Sequence, residues 1–220
     1  MNKILIISKK KWSKKNYKYL NKKKFTYYKN LNFKTIKKIK PKIIFFIHWS
    51  KKIERKIFKN FLCIQFHCSD LPKFRGGSPV QNQILKGLKK TKLTAFKVTN
   101  KLDTGDYCFK RNLSLNGSGS EIYKRLEKKA IHIIKILSKK KYIKFYKQKG
   151  LPTYYKRRIE KESYMRYYEF KKLENVYNFI RMLDAQDYPK AFLKLNNFKI
   201  SFMKAKKSSN KITGEYIIEK

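Results

Sequence analysis

The sequence predicts an α/β protein: a Rossmann-like, mostly parallel sheet with helices on both faces, followed by a small C-terminal α+β appendage. Up to His67, short apolar runs alternate with segments of helical periodicity, which is typical of strands joined by crossover helices. One of these runs, Ile43 to Ile47, is apolar throughout. Such a run favours a central parallel strand that is covered on both faces.

The first half of the chain is predicted to alternate strand and helix. Pro41 ends the second helix, and Ile53, Ile57 and Phe58 supply the inward face of the third. The predicted strands are residues 3–8, 24–28, 42–49 and 62–67, and the predicted helices are residues 9–20, 33–39 and 51–60.

A helix, a pair of strands and a long helix are predicted next, at residues 78–88, 92–99, 106–115 and 117–137. Ser78 is expected to cap the first of these helices and Pro79 to suit its first turn. Val80, Ile84 and Leu85 are expected to face inward.

Gly150, Leu151 and Pro152 indicate a boundary, which predicts a catalytic domain at 1–149 and a small C-terminal domain at 150–220. The second domain begins with a helix whose predicted inward face includes Leu173 and Leu183. A hairpin around the Asn196–Asn197 pair and a last strand follow, predicted at residues 192–195, 198–203 and 212–218.

The net charge of +44, from 58 basic and 14 acidic residues, would ordinarily indicate a nucleic-acid partner. However, Lys greatly outnumbers Arg, and Ile, Asn, Tyr and Phe are also abundant. These residues share A/T-rich codons, so a codon bias that adds lysines to a solvated surface is a sufficient cause. An anionic partner, such as a tRNA or a nucleotide-linked substrate, stays as the alternative.

Neither disulfide nor metal chemistry is indicated, because Cys63, Cys68 and Cys108 have no paired spacing. A reduced, cytoplasmic chain is therefore expected. The apolar run at residues 4–7 is too short for a signal peptide, and no segment approaches the roughly 18 apolar residues of a membrane span. We therefore expect no membrane association and no bound metal.

Three polar side chains are expected to converge at the carboxyl ends of the strands, where such sheets bind ligands. Gln65 and His67 are two residues apart on a strand, so both point to the same face. Asp103 lies in a Gly-containing turn after the adjoining strand, from which a carboxylate can approach the imidazole. The segment His48–Trp49–Ser50 ends the preceding strand, where Trp49 either borders the pocket or covers the core.

The order of residues around this site resembles a known family. His67-Cys68-Ser69-Asp70-Leu71-Pro72-Lys73-Phe74-Arg75-Gly76 is similar to the His-x-Ser-Leu-Leu-Pro-x-x-Arg-Gly motif of the folate-dependent formyltransferases. The resemblance continues in register through Ser78-Pro79, Ile84, Gly87, Thr91, Thr94 and Leu102-Asp103-Thr104-Gly105. It covers about residues 40 to 137, with a weaker similarity in the tail.

The resemblance implies a catalytic role for His67 and Asp103. The family's third catalytic residue is an Asn, and Gln65 stands at its position with a side chain one methylene longer. A change of reach of about 1 Å can cost two orders of magnitude in rate. The residues expected to shape the site or bind substrate are Trp49, Ser69, Leu71, Pro72, Arg75, Gly76, Leu102, Thr104, Gly105 and Asp106.

The resemblance also implies 10-formyltetrahydrofolate as the formyl donor, with its pterin against the backbone of residues 102–106, and a primary amine as acceptor. The preferred acceptor is a nucleotide-linked amino sugar, because methionyl-tRNA enzymes are longer and carry an early basic insertion and a Gly after the first strand. Methionyl-tRNA is the alternative. A further alternative is that the protein is a catalytically silent, basic relative that binds RNA.

Overall fold

The computed structural model describes residues 3–10, 17, 20–30, 32–166 and 170–220. The chain forms two compact units, each assembled from separate parts of the sequence. The first contains Met1–Gly76, Lys92–Leu113 and Leu126–Tyr154, and the second contains Gly77–Thr91, Ser114–Arg125 and Tyr155–Lys220. A domain boundary between residues 149 and 150 stays a prediction.

Strands and helices are numbered here along the chain. The strands are β1 (Ile4–Ile7), β2 (Phe25–Tyr28), β3 (Ile43–Phe46), β4 (Cys63–His67), β5 (Arg75–Gly76), β6 (Lys90–Lys97), β7 (Tyr107–Ser114), β8 (Tyr154–Tyr155), β9 (Ala191–Leu195), β10 (Phe198–Lys207) and β11 (Ile212–Glu219). The α-helices are α1 (Phe33–Ile39), α2 (Arg55–Asn60), α3 (Pro79–Leu85), α4 (Gly119–Lys139) and α5 (Leu173–Leu183).

A six-stranded sheet in the order β2-β1-β3-β4-β6-β7 positions the candidate site. The pairs β1–β2, β1–β3 and β3–β4 are parallel, whereas β4 and β6 are antiparallel. The predicted mostly parallel sheet is therefore confirmed. Its register places Gln65 beside Phe46 and His67 beside Thr94, so both site residues lie towards the end of a central strand.

The apolar runs that predicted the central strands form the core of this sheet. A cluster of buried side chains packs beside β1 and β3, and Trp49 covers part of it. Burying each large apolar side chain is worth about 1.5–3 kcal/mol, which explains why these runs fix the fold. The cluster contains Leu5, Ile7, Ile36, Ile44, Phe46, Ile53, Ile57, Cys63 and Val98.

The second unit contains a three-stranded antiparallel sheet in the order β11-β10-β9. The predicted hairpin is confirmed: Leu195 pairs with Phe198 across the turn, and Asn196 has the left-handed φ of 50° that Asn tolerates. Helix α5 packs against β10, β9 and α3. Of the helices formed by described residues, none is long and apolar enough to cross a membrane.

Three local predictions are wrong. Leu85 is 45% exposed and Leu173 is 41% exposed, because each lies at the end of a helix whose buried face does not include it. Ser78 has a left-handed φ of 47° and makes no capping hydrogen bond; its Oγ instead accepts one from the backbone N–H of Arg158. The helix predicted at residues 9–20 lies largely outside the described residues.

Candidate active site

His67 lies at the end of β4 and is 6% exposed. Its Nε2 is 2.7 Å from the carbonyl oxygen of Phe74. Because a carbonyl oxygen only accepts hydrogen bonds, Nε2 must carry the hydrogen and donate it. Nδ1 is then the ring nitrogen that remains for other chemistry, and it faces Asp103 at 3.5 Å.

Asp103 is buried, with 4% exposure, in the turn between β6 and β7. Its φ of 53° is left-handed, a conformation that Asp tolerates better than most residues. Its Oδ2 accepts a hydrogen bond of 2.8 Å from the backbone N–H of Gly76 and is also the oxygen nearest to His67. The structure therefore brings together the imidazole and the carboxylate that the sequence predicts to meet.

The side chain of Gln148 stabilises the turn that contains Asp103 through hydrogen bonds. Its Nε2 donates to the carbonyl oxygens of Asp103, at 2.9 Å, and Gly105, at 2.7 Å. Its Oε1 accepts a hydrogen bond of 2.7 Å from Nη2 of Arg75. Arg75 is buried, and its Nη1 donates to the hydroxyl of Tyr154 at 2.6 Å. Arg75 thus contacts Gln148 and Tyr154, partners that the sequence does not reveal.

Thr153 holds the backbone of Phe74 and Arg75, the two residues before Gly76. Its carbonyl oxygen accepts from the backbone N–H of Arg75, and its Oγ1 accepts from the backbone N–H of Phe74, both at 2.8 Å. The carbonyl of Phe74 is the group that fixes the His67 ring. Residues 148–154 therefore support both halves of the candidate pair.

Gln65 is half-buried on β4, but its amide does not reach the pair. Its Nε2 donates a long hydrogen bond, 3.5 Å, to the carbonyl oxygen of Trp49. Trp49 packs edge-on against Phe46, so it covers the core and touches the site through its backbone. Burial and the charge of Lys10 lower the pKa of the neighbouring His48 to about 3, which keeps that imidazole neutral.

The loop after His67 is fixed by its own polar groups. Ser69 is buried and its Oγ donates to the carbonyl oxygen of Lys73 at 2.6 Å, while Thr94 donates to the carbonyl oxygen of Ser69. Leu71 and Pro72 are buried and joined by a cis peptide bond. These contacts give Ser69, Leu71 and Pro72 structural positions in the loop.

Asp70, in this loop, forms ion pairs with two lysines. Its carboxylate lies 2.5 Å from the ammonium of Lys110 and 2.9 Å from that of Lys92. Partial burial raises its pKa, but the two ammonium groups outweigh that effect and hold the pKa below its ordinary value. Lys110 also donates to the carbonyl oxygen of Leu71, so the loop and β7 are joined at two points.

The turn at residues 101–106 contains both exposed and buried residues. Leu102 is 64% exposed beside the buried Asp103, and Asp106 is exposed. Thr104 donates within the turn, to the carbonyl oxygen of Lys101. Gly105 is buried, and a Cβ there would lie 1.7 Å from the carbonyl oxygen of Lys97. Only Gly fits this position, which explains the Gly in the turn.

Cysteine and metal chemistry have no support at this site. Burial raises the pKa of the Cys68 thiol to about 12, so it stays protonated and is a poor nucleophile. Within the described residues, no group of three His, Cys, Asp or Glu side chains lies close enough to hold a metal ion.

Sequence reasoning missed Gln148, Thr153 and Thr94 as members of the site. Gln148 and Thr153 flank Gly150, Leu151 and Pro152, the residues that predict a domain boundary. No local pattern marks a glutamine whose partners lie far away in the chain. The sequence gives some indication of Thr94, because Thr94 is one of the positions at which the resemblance to the family continues.

The comparisons with known proteins agree with this site. Residues 5–135 match the formyl transferase family model, and residues 160–219 match that of the methionyl-tRNA formyltransferase C-terminal domain. The first match covers more than half of the chain. The chain belongs to the formyltransferase family.

A solved methionyl-tRNA formyltransferase from Clostridium thermocellum is 40% identical and superposes with a TM-score of 0.92, over 100% of this chain and 99% of that one. The methionyl-tRNA formyltransferase of Kosmotoga olearia is 29% identical over 171 residues, which are 72% of this chain and 53% of the relative. The chain thus spans about half the length of the curated relatives it matches. HypX from Aquifex aeolicus, solved with tetrahydrofolic acid, is 16% identical with a TM-score of 0.74 over 92% of this chain and 37% of that one, which shows a shared fold alone.

Proposed function

We propose that this protein transfers a formyl group from 10-formyltetrahydrofolate to a primary amine, using His67 and Asp103. The observation that carries this proposal is the buried pair itself, with Nδ1 and Oδ2 3.5 Å apart at the end of β4. In a formyltransferase family member, an imidazole and a carboxylate at the carboxyl end of a central strand are suited to acyl transfer.

The residues around the pair fit a folate. The exposed side chain of Leu102, the residue before Asp103, offers an apolar surface for a flat ring. The carbonyl oxygens of Asp103 and Gly105 are already bonded to Gln148, so the turn is rigid before any ligand arrives. The bound folate supplies the formyl carbon, an amide-like electrophile.

The roles of the two catalytic residues follow from their hydrogen bonds. With Nε2 donating to Phe74, a second proton on Nδ1 makes His67 an imidazolium whose charge Asp103 balances. That Nδ1–H is suited to stabilise negative charge as it develops on the formyl oxygen. The amine nitrogen bonds to the formyl carbon, and the bond between that carbon and N10 of the folate then breaks. Asp103 orients the ring, accepts the proton that the amine releases and returns it to the departing N10. Gln65 adds an amide donor if its long bond to Trp49 is exchanged for one to the substrate.

The acceptor we propose is methionyl-tRNA. The preference for an amino sugar rested partly on the short length of this chain, but the Clostridium thermocellum enzyme is matched over 99% of its own length. Short length therefore does not argue against tRNA. The match of residues 160–219 to the C-terminal domain model of methionyl-tRNA formyltransferases supports the tRNA acceptor.

The charge is consistent with this acceptor. A net charge of +44 favours binding to RNA phosphates, and such binding weakens steeply as salt rises. Codon bias remains a sufficient cause of the lysines, so the charge supports the proposal without carrying it. A cytoplasmic location stays part of the proposal.

The experiment is a comparison of acceptors. The full chain is incubated with 10-formyltetrahydrofolate and either methionyl-tRNA or a panel of nucleotide-linked amino sugars, and formylated product is measured. We expect formylmethionyl-tRNA, with a KM for the tRNA that rises at least tenfold between 50 and 200 mM salt, the change that about two phosphate contacts would require.

Two outcomes would contradict the proposal. Formylation of an amino sugar without formylation of methionyl-tRNA would restore the small-molecule acceptor. Salt-sensitive tRNA binding without turnover on any amine would indicate a catalytically silent RNA-binding relative.

A further inference from the structure

A closed circuit of hydrogen bonds runs through the side chain of Gln148. Both sides of Asp103 are attached to the dipeptide Arg75–Gly76: its Oδ2 accepts from the backbone N–H of Gly76, and its carbonyl oxygen accepts from Gln148. Gln148 closes the circuit by accepting from the guanidinium of Arg75. The backbone and the carboxylate of Asp103 are thus held to the same short strand.

The circuit depends on a group with two donors and an acceptor in one plane. The Nε2 of Gln148 donates to the carbonyl oxygens of Asp103 and Gly105, which flank Thr104, while Oε1 takes the guanidinium hydrogen. Only a primary amide provides this combination, and the length of Gln sets its reach. A carboxylate at this position would place an acceptor against two carbonyl oxygens.

Arg75 is a suitable anchor for Gln148. Its guanidinium is buried, stacks on the ring of Tyr154 at 5.5 Å and donates to the hydroxyl of that residue. Within the described residues no carboxylate forms an ion pair with Arg75; Nη1 and Nη2 donate to the neutral partners Tyr154 and Gln148, while Nε is buried without a hydrogen-bond partner. The two planar groups are therefore fixed by each other and by the ring.

We propose that Gln148 is a positioning residue for the transfer reaction: it holds the left-handed turn at Asp103 so that Oδ2 faces Nδ1 of His67. This inference rests on the proposed function, because it assigns Gln148 a role in that same site. Gln148 acts through Asp103 and need not touch either substrate. A misplacement of about 1 Å in a catalytic group can cost two orders of magnitude in rate.

The test compares two substitutions at Gln148. Gln148→Met keeps the length of the side chain and removes all three hydrogen bonds, whereas Gln148→Glu keeps the acceptor for Arg75 and removes both donors. We expect kcat to fall about 10- to 100-fold in both variants, with the KM of each substrate within about threefold of wild type. If Gln148→Glu retains activity near wild type, then the contact with Arg75 is enough to maintain the rate and the hydrogen bonds to the turn are not needed. That result would overturn the proposal.

Gln83→Met is the matched control. Gln83 is a buried glutamine in the second unit whose amide donates to the carbonyl oxygen of Pro79 and accepts from Thr91. Its loss removes hydrogen bonds to Pro79 and Thr91, neither of which contacts His67 or Asp103 in the bonds described above, so it should lower stability and leave kcat within twofold. If Gln83→Met lowers kcat as much as Gln148→Met does, the effect is general and the proposal fails.

A second measurement does not depend on turnover. The chain has three histidines, so the ring nitrogen signals of His67 can be assigned by single substitutions in an NMR spectrum. Gln148→Met should shift the Nδ1 signal and Gln83→Met should not. If the wild type transfers no formyl group, the proposed function fails, and this signal alone decides the positioning role: an unchanged Nδ1 signal in Gln148→Met overturns it.

Discussion

Oδ2 of Asp103 accepts a hydrogen bond from the backbone N–H of Gly76 at 2.8 Å and faces Nδ1 of His67 at 3.5 Å. The first distance is a good hydrogen bond and the second is longer than one. The carboxylate is therefore fixed by the backbone, and both it and the imidazole are buried. Because Nε2 of His67 is bonded to Phe74, the ring has one orientation in which it can act.

Gln65→Asn should preserve or raise activity, because it places the amide where the family has Asn. Gln65→Leu, which has a similar size and no amide, should lose tenfold or more if the amide donates to the formyl oxygen. Steady-state rates of the two variants at saturating substrates provide the measurement. A well-folded but inactive Gln65→Asn variant would contradict a catalytic role for the amide.

Gly105→Ala should damage both stability and activity. Its Cβ would meet the carbonyl oxygen of Lys97 at 1.7 Å, so the turn must move, and we expect a loss of about 3 kcal/mol in the free energy of unfolding. Gly87→Ala is the control, since Gly87 has a φ of 74° but no atom within 4 Å of a Cβ, and should cost about 1 kcal/mol. Urea unfolding and turnover of both variants test this; equal effects would contradict the role assigned to packing at Gly105.

The three cysteines should react slowly with a thiol reagent in the native protein. Burial raises the pKa of Cys63, Cys68 and Cys108 to about 12, whereas an unfolded thiol has a pKa of about 8.5. At pH 8 the folded thiols are therefore protonated and unreactive. Release of thionitrobenzoate should be slow until denaturant is added. Rapid reaction of Cys68 in the native state would contradict its assignment as an inert neighbour of His67.

Asp70→Asn should reduce stability only at neutral pH. Since the folded pKa of Asp70 is lowered, the ionised carboxylate stabilises the fold above its unfolded pKa of about 3.9, and this contribution disappears as the pH falls through the folded pKa. The carboxylate is 42% exposed, so the difference at pH 7 should be below about 1 kcal/mol. Glu219→Gln, at an exposed position on β11, is the control. A difference between wild type and Asp70→Asn that grows at acid pH would contradict this account.

The sheet could be predicted because its signal is local. Continuous apolar runs such as Ile43 to Ile47, bounded by polar residues, favour buried strands, and β1 and β3 follow such runs closely. The meeting of His67 with Asp103 was also predictable, because the motif fixes the order of residues and adjoining strands determine the neighbours. What the sequence lacked was any sign of the left-handed backbone at Ser78, which turns its hydroxyl away from helix α3 and towards Arg158.

The supports of the site could not be predicted. Gln148 and Thr153 lie in a polar, Gly- and Pro-containing stretch that has no periodicity, so their contacts arise only from tertiary structure. The sequence shows that the Gln65 side chain is longer than that of the family's Asn. It does not show the partner of that side chain, the carbonyl of Trp49, because the position of Trp49 depends on the backbone after β3. A pattern of side-chain types does not show where backbone carbonyl groups will lie.

Single-turnover transfer of labelled formyl from 10-formyltetrahydrofolate to methionyl-tRNA, measured for His67→Gln, Asp103→Asn and the double variant, tests the catalytic pair most directly. Asp103→Asn is suitable because Asn also tolerates the left-handed φ of this turn. We predict that each single substitution lowers the rate about a thousandfold and that the double variant is no slower, since the two groups act as a unit. Folate binding and unfolding should stay close to wild type. Either single variant turning over within tenfold of wild type, while well folded, would contradict the assignment of His67 and Asp103 as the catalytic pair.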